Sequence, residues 1–119
     1  MKRILRTAIG GMALIALTTA AAVAHHGWGS YDAAKPLTVT GPIESLKFEN
    51  PHATIVIKSS DKPWTVTLAP TSRMTSRGAS AEVVAVGKTA SAYGYPSTVE
   101  KDEMRAERIT VDGKTYELR

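Results

Sequence analysis

The chain has 119 residues, with 15 Lys and Arg against 11 Asp and Glu, three His and no Cys. The missing thiol excludes disulfides, iron–sulfur clusters, zinc–thiolate sites and thiol catalysis. The formal charge of +4 leans on the first residues, where Lys2, Arg3 and Arg6 precede an apolar run from Ala8 to Leu17 and small residues from Thr18 to Ala24. Basic, then apolar, then small is the order of a secretory signal. Ala22-Val23-Ala24 fits the small-x-small cleavage rule, so residues 1–24 are expected to be a signal peptide cut after Ala24, with a cut after Ala22 as the alternative. Removing 24 of the 119 residues leaves 95, with twelve basic residues against eleven acidic ones. That near-neutral balance argues for no nucleic acid or other polyanion as partner. The apolar run is short for a span of about 20 residues. An exported, periplasmic, soluble domain without a stable membrane anchor is therefore expected.

The expected mature chain, 25–119, reads as one small β domain. Residues 25–36 form an irregular amino-terminal segment, in which Trp28 between Gly27 and Gly29 is expected to pin the segment by burial. From Leu37 the pattern has period two: Val39, Ile43, Leu46 and Phe48 interleave with polar residues, which predicts a long first strand bent at Gly41-Pro42. Asn50-Pro51 marks a turn. Thr54–Lys58 and Trp64–Leu68 read as the second and third strands, separated by the polar stretch 59–63. Pro70 through Arg77, closed by Gly78, is the one short helix, with Met74 facing the core. Thr89–Tyr95 is a fourth strand ended by Pro96, and 97–104 a polar loop. Arg108–Val111 and Thr115–Leu118 flank Asp112-Gly113-Lys114 as a hairpin. Three strands, a short helix and further strands predict a small, partly open barrel of the OB type, with an antiparallel sandwich as the alternative.

Several of these pieces together resemble a known family. They are His25-His26 after the leader, Lys35-Pro36-Leu37-Thr38-Val39-Thr40-Gly41, Asn50-Pro51-His52-Ala53, Arg77-Gly78 and Gly94-Tyr95-Pro96. The chain resembles DUF6152, small exported bacterial domains of unknown function. The resemblance implies export and a small β fold, and it implies no activity.

Chemistry concentrates in the histidines. A cut after Ala24 makes His25 the terminus, whose amine and imidazole chelate one metal ion together. Imidazole is the commonest protein metal ligand, and Cu(II) favours nitrogen donors in a square-planar set. His26 adds a further ring, and His52, in the turn after the first strand, completes the set if that turn folds against the terminus. Such an arrangement looks like the copper brace of certain exported proteins. A cut after Ala22 would give Val23-Ala24-His25, another Cu(II) chelator. The metal candidates are thus His25, His26 and His52, and the cofactor is copper. No acidic pair among Glu44, Glu49, Glu100, Asp102 and Glu103 suggests acid–base work, and no Gly-x-Ser-x-Gly nucleophile is present. Arg73 and Arg77 share a helix face as a charged outer surface. The function expected is a non-enzymatic, exported binding domain, with an envelope protein-interaction or small-ligand module without metal as the alternative.

Overall fold

The computed structural model describes residues 27–119. The expected leader, His25 and His26 lie outside the described residues. A 3-10 turn at Trp28–Ser30 leads into β1 (Leu37–Lys47), β2 (Thr54–Lys58) and β3 (Pro63–Thr67). Then come a short helix α1 (Thr71–Ser76), β4 (Thr89–Pro96), β5 (Glu103–Val111) and β6 (Lys114–Glu117).

The strands close into a five-stranded barrel with one extra strand. β1 pairs antiparallel with both β2 and β4, β2 with β3, and β4 with β5, and β6 lies outside on β5. A parallel pairing of β3 with β5, from Thr65↔Glu103 to Thr67↔Arg105, completes the ring. This is the OB-type order that the sequence pattern predicts.

β1 serves both halves of the wall. Leu37 to Pro42 pair with β4, and Ile43 to Lys47 pair with β2. Pro42 occupies the last rung shared with β4, so the residue without an N–H falls where the strand changes partner. The expected bend at Gly41-Pro42 is this corner. Inward side chains follow the period-two pattern: Ile43, Ile55, Ile57, Val66, Ala92, Met104 and Ile109 are buried in one core. α1 adds Met74, which is fully buried against them. The helix begins after Pro70, as the fixed φ of proline suits. Asn50, in the β1–β2 turn, caps it from outside: its Oδ1 accepts from the Thr71 hydroxyl at 3.1 Å and from the Thr71 amide at 3.4 Å. Asp112 and Gly113 turn β5 into β6 with positive φ of 52° and 79°, the geometry a two-residue hairpin asks for.

The structure corrects one boundary. The loop expected over 97–104 ends at Asp102, and Glu103 and Met104 already belong to β5. Met104 and Ala106 point into the core, while Arg105 between them is buried on the other side. Both faces of this half-strand are covered, although the alternation of Glu103, Met104, Arg105, Ala106 and Glu107 reads as one wet face and one apolar face.

Candidate functional site

The covering of β5 is built by the amino-terminal segment. The Asp32 amide donates to the Pro96 carbonyl at 2.9 Å, and the Thr98 amide and hydroxyl donate to the Ser30 carbonyl at 2.8 and 3.0 Å. Tyr31 forms a β-bridge to Ser97. These bonds lay residues 28–32 across the outer face of the barrel at the start of β5.

Trp28 is the centre of the arrangement. Its ring lies 4.1 Å from Arg105 Cζ and 4.4 Å from Arg119 Cζ, so it contacts two guanidiniums. Tyr31 and Tyr95 meet it edge-on, with centroids at 6.4 and 6.2 Å. The aromatic quadrupole favours both contacts, cations over the face and rings edge-to-face. Trp28 does pin the segment, as its size predicts.

Arg105 is only 6% exposed. Its Nη2 lies 3.4 Å from His52 Nε2, and its Nε is buried without a hydrogen-bond partner. No carboxylate pairs with it among the described residues. The nearby acids are committed elsewhere. Glu103 Oε2 accepts from the Tyr31 hydroxyl at 2.6 Å and the Thr67 hydroxyl at 2.7 Å. Glu107 Oε1 accepts from the Tyr95 hydroxyl at 2.8 Å and from Arg119 Nη1 at 3.5 Å. Arg73 spends a donor on the Leu118 carbonyl at 3.3 Å, and Arg77 donates to the Glu117 and Arg119 carbonyls at 3.1 Å. The two helix arginines therefore stitch α1 to the C-terminal tail.

The electrostatics follow from this crowding. Burial pushes the Arg105 pKa down, and Arg73 and Arg119 add to the shift while Tyr31 and Glu103 oppose it. The Tyr31 phenol is pushed up to about 12, first by burial and then by the Glu103 carboxylate that its proton serves. Tyr95 is raised as well, chiefly through its bond to Glu107.

Of the three predicted metal residues, His52 alone lies among the described residues, half-buried in the β1–β2 turn. That turn is fixed by Ala53, whose amide donates to the Ala69 carbonyl and whose carbonyl accepts from the Leu68 amide, each at 2.8 Å. Among the described residues no three His, Asp or Glu side chains group as metal ligands. The acids set aside in the sequence divide: Glu103 joins the Tyr31 network, while Lys62 pairs with Asp102 at 2.6 Å. The sequence reading missed Arg105. Its available signal was an arginine between Met104 and Ala106, two positions that a strand would turn to the core.

Comparison with solved structures returns fold likeness. The agmatine complex of a ZRD-deleted mutant of TiaS superposes with a TM-score of 0.53 at 16% identity, covering 73% of this chain and 27% of that one. Apo TiaS, a tRNAIle2 agmatidine synthetase, superposes at 0.50 with 14% identity, covering 67% of this chain and 18% of that one. The chain thus spans less than a third of those proteins, and at such identity the likeness is one of fold alone. No curated protein matches the sequence. A family profile, described as a family of unknown function, matches residues 13–106. By that match, over most of its length, the chain belongs to the DUF6152 family.

Proposed function

We propose that this chain is an exported, non-enzymatic binding domain that chelates Cu(II) at a processed amino terminus through His25 and His26, with His52 alongside. One observation carries the reading. Trp28 is fastened against Arg105, and Arg105 touches His52. His26 lies two residues before Trp28 in the sequence, which supports a donor set shared by the terminus and the His52 turn. A nitrogen-only donor set favours copper over harder cations.

The test is an EPR-monitored Cu(II) titration of protein exported and processed by its native route, with the intact mass read on the same sample. One tight equivalent with a nitrogen-rich spectrum is expected on a chain starting at His25 or Val23. His25→Ala with His26→Ala should weaken it at least tenfold with an unchanged circular dichroism spectrum. Undiminished affinity in that double variant would overturn the reading. A second reading, a small-ligand module without metal, is favoured by the buried Arg105 guanidinium, which has no carboxylate partner among the described residues.

A further inference from the structure

We infer that the Nε/Nη2 edge of Arg105, bordered by His52, is a binding site for the oxyanion group of a small ligand, a carboxylate or a phosphoryl group. In a guanidinium the Nε–H and the Nη2–H groups point the same way and form the side-on fork that grips two oxygens of an anion. In this protein Nε has no partner, and Nη2 has only the long 3.4 Å contact to His52. The fork best suited to an oxyanion is the part of Arg105 that the fold leaves least satisfied.

The surroundings point the same way. A buried charge is normally paired, because desolvation without a counter-charge is costly. Here the charge is 6% exposed, and Arg73 and Arg119 add like charge to its field. Among the described residues the neighbouring acids make no ion pair with it: Glu103 acts on it only through space. Glu103 is held by the hydroxyls of Tyr31 and Thr67, and Glu107 is held by Tyr95 and Arg119. An arriving anion would supply the missing charge and the missing acceptor together. Trp28 covers the face of the guanidinium and leaves the in-plane edge as the direction of approach, where His52 stands. The His52 ring is the group that must yield. Once it leaves Nη2, an Nε2–H tautomer would give the anion a further donor. The location suits a ligand site in this architecture as well: the β1–β2 turn and the start of β5 border the surface on which OB-type barrels hold ligands.

The inference does not depend on copper, so it is tested on metal-stripped protein. Inorganic phosphate and acetate are titrated separately against the full chain at constant ionic strength, with chloride as the control anion. The readouts are intrinsic tryptophan fluorescence, which Trp28 reports, and calorimetric heat. Saturable one-to-one binding of phosphate or acetate, absent with chloride, is expected. Preference for phosphate assigns a phosphoryl ligand, and preference for acetate assigns a carboxylate. Arg105→Lys keeps a charge but loses the fork, and it should weaken binding at least tenfold. Should that variant fail to fold, His52→Gln at the border and Arg73→Gln, which removes a positive charge acting on Arg105 through space, should each weaken binding several-fold, while Arg77→Gln, which ties the helix to the tail, should not. No saturable response to either oxyanion beyond that of chloride would overturn the inference, and so would undiminished binding in both of these variants.

Discussion

Trp28→Leu is the most informative single change, because one ring joins the amino-terminal segment to the barrel. The substitution removes two cation–π contacts, at 4.1 and 4.4 Å, and two edge-to-face contacts, with Tyr31 and Tyr95. Each cation–π contact contributes about 0.5–2 kcal/mol and each aromatic pair about 0.5–1.5 kcal/mol. Leucine restores part of the buried apolar area, and contacts that share one ring are not additive. The net loss is about 2–3 kcal/mol if the segment unfolds only with the barrel. In a domain of this size that is a fall in Tm of about 10–20 °C. Thermal unfolding followed by far-UV circular dichroism measures it. A second readout, hydrogen exchange at Asp32 and Thr98, tests the mechanism, since these amides hold the segment to Pro96 and Ser30. A Tm within 2–3 °C of the parent, with unchanged exchange at both amides, would refute the claim that this ring fastens the segment.

Two further outcomes follow from particular residues. A Cβ at Gly94 would collide with the Arg105 carbonyl oxygen and come within 2.8 Å of Ala106 Cα, both backbone atoms of β5. Gly94→Ala should therefore spread β4 from β5 at the bulge and cost about 3 kcal/mol or more, read as a lower urea midpoint; a midpoint equal to the parent's would show that the two backbones can part freely. The Tyr31 phenol, raised to about 12 by burial and by Glu103, binds its proton more tightly in the folded state than in the unfolded one. Its contribution is complete below pH 10 and is lost as pH rises towards 12. Ultraviolet titration should show a late-ionising tyrosine that disappears in Tyr31→Phe, and an unchanged titration curve in that variant would refute the assignment.

Much of the barrel was legible because its inner face is apolar and its outer face is wet. β2 has the predicted bounds, and α1 and β3 lie within a residue or so of theirs. In each case local chemistry and burial agree: β-branched residues in β2, Pro70 and Met74 in α1, Asp112-Gly113 at the hairpin. The first half of β5 was illegible for the opposite reason. Its outer face is covered by a segment more than 70 residues upstream, so Arg105 reads as a surface charge until Trp28 is placed over it. The same holds for the candidate site. The sequence pointed to the His52 turn, and the structure adds that an arginine touches it. No spacing rule could have joined His52 to Arg105, because their contact runs from the β1–β2 turn to β5 and depends on how the barrel closes.

The barrel ring is complete without its amino-terminal strap. β3 and β5 close it through their own rungs, and residues 28–32 lie outside that circuit, held at Pro96, Ser97 and Thr98. The strap can therefore lift and resettle as a local event while every barrel rung stays made. Lifting the strap therefore costs only its own contacts, the same ones that Trp28→Leu removes from the stability of the whole domain. Proteases acting near residue 30 would sense whether the Arg105 surface is occupied long before any probe of the core could.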